Sequence, residues 1–208
     1  MIPSVLDVVD AQGDPWLLVG KGPTLDQRGR VNLGAYRTLT LNHACLVVPI
    51  TLAHFTDLSA FTDCAEHLLS RVKAKVVMPW HPHVDMTPHP YTLDQWANDI
   101  PALARLRDAG RLVSYNSTLT PPAWRRGKLP TVRVRLFSAV AGLNILALAR
   151  VKRVYTLGID GGTEYAKCVP AADRLANGQD SFDVQFKELR RTHRVLGVKL
   201  QPLVEHQP

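Results

Sequence analysis

The sequence predicts a single α/β domain spanning residues 1–208, with a mostly parallel sheet and helices on both faces. Three observations point there. Short apolar runs of strand length alternate with longer segments whose apolar residues fall at helical spacing; this order produces strand–helix–strand crossovers. Several of the runs are continuously apolar rather than alternating, as in strands covered on both faces. Finally, 208 residues with 46% hydrophobic and 21% charged content suffice for one full core and are too few for two large ones.

The elements follow in order. Residues 1–15 read as a lead-in that turns at Gly13-Asp14-Pro15. Residues 16–20 are a first strand. The polar stretch 25–34 leaves room only for a short helix. Tyr36-Arg37-Thr38-Leu39-Thr40-Leu41 suits a second strand, with Asn42 and His43 at its end. Residues 46–55 give another apolar pair of runs, with Asp57 just beyond. Helical spacing of Phe61, Ala65, Leu68, Leu69 and Val72 predicts a helix over 59–73, with Ser59 as a candidate cap. A strand at 75–80 leads into a proline- and histidine-rich irregular loop, 81–90. Thr92 caps a helix over 92–109 that Pro101 bends or divides and Gly110 ends. A strand at 112–115 precedes a basic, proline-rich loop, 116–130, which suits a lid. An alanine- and leucine-rich helix over 137–150, a strand over 154–160, a helix over about 181–195 and a strand at 198–200 complete the chain.

Composition narrows the functional classes. No run reaches the about 18–20 apolar residues of a membrane span. The first residues show neither a basic leader nor a cleavable apolar core, so no signal peptide is expected. Cys45, Cys64 and Cys168 are few, odd in number and without CxxC spacing, which favours reduced thiols and a cytoplasmic location. The net charge of +7 favours anionic partners. Basic clusters occur at 124–128, at Arg133 and Arg135, and from Lys187 to Arg194. No nucleic-acid-binding signature accompanies them, so nucleic acid is not the expected partner.

The chemistry centres on Gly20-Lys21-Gly22-Pro23-Thr24-Leu25, directly after the first strand. Two readings stand. The glycines could let backbone amides cradle a phosphate, with Lys21 adding a charge, or the stretch could be an ordinary glycine turn. In a parallel sheet ligands bind beyond the carboxyl ends of the strands, where Lys21, Asn42, Asp57, the 81–90 loop and Asp160 all fall. His81-x-His83-x-Asp85 begins like a zinc motif, but Met86 follows it and no further ligand set is evident, so no metal site is assigned. Trp124 with Arg125 and Arg126 is either a clamp for an acceptor or phosphate, or an exposed basic loop.

The loop 20–25, the strand ending Leu41-Asn42-His43, the segment Arg135-Leu136-Phe137-Ser138-Ala139-Val140 and the strand Val154-Tyr155-Thr156-Leu157-Gly158-Ile159-Asp160 occur in an order that resembles the bacterial CMP-sialic-acid sialyltransferases. The loop and Thr56-Asp57-Leu58 also resemble the related 6-hydroxymethylpterin diphosphokinase-like proteins. The resemblance implies a Rossmann-like domain. It implies nucleotide contacts from Gly20, Gly22, Thr24, Asn42, Ser138, Asp160 and Tyr165; Lys21, read above as adding a charge to the loop, replaces the family's asparagine. It departs from the sialyltransferases where their general-base histidine should stand, at 176–180, leaving another residue such as His43, His54 or Asp180 to act; in the diphosphokinase-like reading Asp57 is the catalytic residue, on the metal. Ser59 replaces the second aspartate of the diphosphokinase motif.

The expected function is therefore a nucleotide-dependent transferase, foremost a glycosyltransferase that uses a CMP-sugar and a glycan or small-molecule acceptor without a metal. The alternatives are an ATP- and Mg²⁺-dependent diphosphokinase with Asp57 on the metal, and a non-catalytic nucleotide-binding protein.

Overall fold

A computed structural model describes residues 1–13, 15–134, 138–170 and 180–204, with side chains in the last stretch from 183. Its strands are β1 (Trp16–Val19), β2 (Arg37–Leu41), β3 (Leu52–His54), β4 (Lys75–Pro79), β5 (His83–Val84), β6 (Thr87–Pro88), β7 (Leu112–Ser117), β8 (Thr131–Val132), β9 (Arg153–Leu157) and β10 (Lys199–Pro202). Its α-helices are α1 (Leu58–Ser70), α2 (Leu93–Asp99), α3 (Pro101–Asp108), α4 (Ser138–Leu148) and α5 (Asp180–Leu196). The main sheet has eight strands in the order β10-β9-β1-β2-β3-β4-β7-β8. Every pairing in it is parallel, so the chain is the α/β, Rossmann-like domain that its sequence predicts.

Burial explains why these runs became central strands. All four residues of β1 are buried. Trp16 and Leu18 pack under α4 and α5 with Leu39, Val77, Val113 and Leu189. Leu17 and Val19 point the other way, with Leu25, Ala44 and Leu157. Further along that second face, Ala53, Val76, Met78 and Leu112 meet Phe61, Leu68, Leu93 and Leu103 of α1, α2 and α3. A strand buried on both sides has no polar alternation to display.

Local chemistry sets the breaks. Thr92 and Gln95 form a capping box at the start of α2. Pro101 begins α3, where its missing N–H costs nothing, and Ile100 ends one helix and leads the next. Three expectations change. The 81–90 loop contains a small antiparallel hairpin, β5–β6, closed at Asp85 and Met86 with φ of 49° and 62°. Of the two apolar runs over 46–55 only the second holds a strand, β3, and residues 42–46 form a 3-10 turn. The N-cap of α1 is Asp57, not Ser59.

The chain passes from β1 outward through β2, β3, β4, β7 and β8, then returns to place β9 on the other side of β1. The topological switch therefore lies between β1 and β9, and the carboxyl edge around it is where such sheets bind ligands. The 116–130 segment is stitched to the end of β7, away from that switch. Asn116 donates through Nδ2 to the carbonyls of Arg126 and Leu129, and its Oδ1 accepts from the Arg126 amide.

Candidate functional site

The glycine turn and the Gly158-Ile159-Asp160 segment meet at the switch point, and they grip each other. The Gly20 amide donates to the Leu157 carbonyl at 2.9 Å and the Gly22 amide to the Gly158 carbonyl at 2.8 Å. The Thr24 amide and hydroxyl both donate to the Asp160 carboxylate, at 2.8 and 2.6 Å, while Thr24 Oγ1 accepts from the Gly158 amide at 2.8 Å. The Gly20, Gly22 and Thr24 amides are thus committed within the fold, as are both carboxylate oxygens of Asp160. The glycines have a packing reason instead: a Cβ on Gly20 would lie 2.3 Å from the Gly158 carbonyl oxygen, and one on Gly22 would lie 2.6 Å from the Asp160 carboxylate. Beside this junction the Lys21 ammonium sits 5.1 Å from the centroid of the Tyr165 ring, and the Ala166 amide bonds the Lys21 carbonyl. The two residues read separately as nucleotide contacts therefore belong to one surface.

A second, less committed group lies across the ends of β2, β3, β4 and β7. Asn42 directly follows β2 in the left-handed region, φ 50°, and its buried Oδ1 has no hydrogen-bond partner among the described residues. Asp57 follows β3 at the N-cap of α1 but makes no capping bond. Its side chain is 30% exposed, yet Oδ1 is buried without a hydrogen-bond partner among the described residues. Burial raises the Asp57 pKa, and the Met86 amide beside it offsets part of that effect. His83 Nδ1 lies 3.9 Å from Asp57 Oδ1, a gap too wide for a hydrogen bond. Ser138, in the first turn of α4, brings its hydroxyl to 3.4 Å from that of Thr56. Close packing of α4 on the sheet places it there: a Cβ on Gly142 would come 2.8 Å from Leu18 and 3.1 Å from Leu39.

Beneath this group His54 Nε2 and the Tyr115 hydroxyl are 2.8 Å apart, both fully buried. Burial drives His54 down to about 3 and His83 to about 4, so both rings are neutral near pH 7. Burial, with the Asp57 charge, pushes the Tyr115 phenol up. The folded-state values of the two histidines lie below the ordinary imidazole value, so the unfolded chain binds more protons between about pH 4 and 6.5. Stability therefore falls as pH drops through that window. Melting curves from pH 7.5 to 4.5 are expected to show this loss, and replacing His54 by Gln is expected to flatten it.

The residues read as catalytic separate. His43 turns away with the 3-10 turn, is 2% exposed, and pairs through Nε2 with Asp63 of α1 at 3.1 Å, off the edge that Asn42 and Asp57 line. His54 lies under the sheet edge against Tyr115. The Asp180 side chain lies outside the described residues, as do Arg135 and Phe137. Asp57 remains at the edge with an unpaired oxygen. His81, the first residue of the zinc-like pattern, has both ring nitrogens against carbonyls, those of His89 and Trp124, each at 3.0 Å. Among the described residues no group of three or more His, Cys, Asp or Glu side chains could hold a metal ion.

Sequence reasoning missed Tyr115, whose partner His54 is 61 positions away, and the role of Thr56. A signal for Thr56 existed, since it directly precedes Asp57 at a strand end. No protein-family model, curated protein or solved structure matches the chain. No helix among the described residues is long and apolar enough to cross a membrane.

Proposed function

We propose that the chain is a nucleotide-dependent transferase, with transfer of a sugar from a CMP-sugar donor as its leading activity. The observation that carries this reading is Asp57: an N-cap aspartate that caps nothing, with a buried, unpaired oxygen and a raised pKa, at the carboxyl edge of a parallel sheet. An underpaired carboxylate in such a place is held for a substrate rather than for the fold. Asp57 accepts the proton of the acceptor hydroxyl as that oxygen attacks the donor carbon. The bond from that carbon to the donor phosphate breaks, and the nucleotide leaves with the bonding pair.

The nucleotide sits over the ends of β1 and β2. The unpaired Asn42 Oδ1 takes a donor from it, such as a base amine or a ribose hydroxyl. The first turn of α4, with the Ser138 hydroxyl, receives the phosphate, since backbone amides at a helix start favour an anion. Lys21 and Tyr165 close the other flank. Gly20, Gly22, Thr24 and Asp160 hold the edge in shape. In this arrangement the phosphate moves from the glycine turn, whose Gly20, Gly22 and Thr24 amides are spent, to the start of α4.

The gap between Asp57 and His83 favours one second reading, ATP- and Mg²⁺-dependent diphosphoryl transfer. A bare carboxylate oxygen suits a hard cation whose other ligands are substrate phosphates and water. Release of CMP from a set of CMP-sugars, with EDTA present, tests the first reading. Turnover in EDTA supports it; turnover only with ATP and Mg²⁺ replaces it by the second; no turnover of any donor overturns both.

A further inference from the structure

The outer side of α5 carries a surface that the edge of the sheet does not use. Leu189 and Thr192 turn inward, 1% and 2% exposed. Lys187, Arg190, Arg191 and Arg194 are exposed and make no ion pair among the described residues. Successive residues of a helix are about 100° apart, so Lys187, Arg191 and Arg194 share one side and Arg190 flanks it. Neither acid of the helix whose side chain is described is ion-paired with them, although Asp183 lies one turn before Lys187. Glu188, 12% exposed, pairs inward with Arg133 at 3.2 Å, and Asp183 accepts the Gly162 amide at 3.0 Å. Val184 and Val195 stand on the same side at 46% and 72% exposure, about 16 Å apart at a rise of about 1.5 Å per residue.

We infer that this side of α5 docks the protein on an anionic membrane surface. Cations alone would suit any polyanion. The two bracketing valines decide between partners: a bilayer offers phosphate headgroups to the cations and an apolar layer just below for short side chains, whereas a nucleic acid backbone offers nothing to an exposed valine. Attachment is by the flank of a folded helix whose opposite side stays in the core, so it needs neither a spanning segment nor refolding. It does not depend on the transferase reading.

The test is co-sedimentation of the full chain with vesicles of phosphatidylcholine alone or with 30% phosphatidylglycerol, at about 0.1 M and 0.5 M salt. Binding is expected only with phosphatidylglycerol, and it is expected to fade at high salt. R191E/R194E is expected to weaken it by at least about tenfold, while K73E/R105E, an equal change of charge at exposed positions elsewhere, leaves it within about twofold. V184S/V195S, which keeps every charge, is expected to weaken it several-fold, and its exposed positions keep the fold intact. Failure to bind phosphatidylglycerol vesicles overturns the inference. Equal loss in K73E/R105E, an unchanged V184S/V195S, or salt-sensitive binding to duplex DNA that exceeds vesicle binding does so as well.

Discussion

Asp57→Asn is expected to lower transfer by about 10²–10⁴-fold while leaving the fold intact. The substitution keeps size and shape and removes only the ability to take a proton. The wild-type carboxylate has a raised pKa, so its proton is bound more tightly in the folded state than in the unfolded one. That stability contribution is present below the ordinary carboxylate value and is lost as pH rises through the raised one. At neutral pH the ionised group is therefore a liability, and the D57N variant is expected to melt at the same temperature as wild type or slightly higher. An activity loss with no stability loss separates a site residue from a packing residue. His43→Asn supplies the contrast: His43 is buried against Asp63, so its replacement is expected to lower the melting temperature while the folded fraction stays active. Full activity in Asp57→Asn would remove Asp57 from the chemistry.

The largest effect on stability is expected at the switch point. Gly158 has φ of 68°, and a Cβ there would lie 2.5 Å from the Gly20 carbonyl oxygen. Gly158→Ala combines a left-handed backbone, costing about 1–2 kcal/mol in a residue with a Cβ, with an overlap against backbone that has no rotamer to yield. The strands β1 and β9 would have to separate, and with them the hydrogen bonds from Gly20 and Gly22. A total loss of about 3 kcal/mol or more is expected, read by urea denaturation. Gly20→Ala is expected to cost a similar amount, because its Cβ would meet the Gly158 oxygen at 2.3 Å. Gly127→Ala, where nothing lies within 4 Å of the added atom, is expected to be neutral. Equal effects at Gly127 and Gly158 would contradict the loop–loop packing.

The same junction shows how far the sequence could be read. A glycine turn after an apolar strand signals a close approach of backbones, but not what approaches. The partner of Gly20 is Gly158, far along the chain, and the Thr24 hydroxyl finds Asp160 across 136 positions. Such pairings depend on which strands become neighbours, which periodicity does not encode. Continuous apolar runs placed β1, β4 and β9 well, because burial on both faces leaves a plain signature. Pro101 and Thr92 placed the helix break and start, because their effects are local. The β5–β6 hairpin was hidden, since two non-glycine residues occupy its left-handed turn and prolines surround it. Asn42 and Asp57 were legible as strand-end residues, but their unpaired oxygens depend on what α4 and the hairpin leave uncovered. His43 followed Asn42 in sequence yet parted from it in space, because a 3-10 turn rotates the side chain towards α1.

The nucleotide itself is the claim on which the transferase account rests. The most direct measurement is a calorimetric titration of the chain with CMP in EDTA, with ATP and Mg²⁺ as the comparison. The account predicts saturable, metal-independent binding of CMP that Asn42→Ala weakens and His43→Asn leaves unchanged. Absence of binding by CMP and by ATP with Mg²⁺ would leave the α/β sheet without a nucleotide and contradict it.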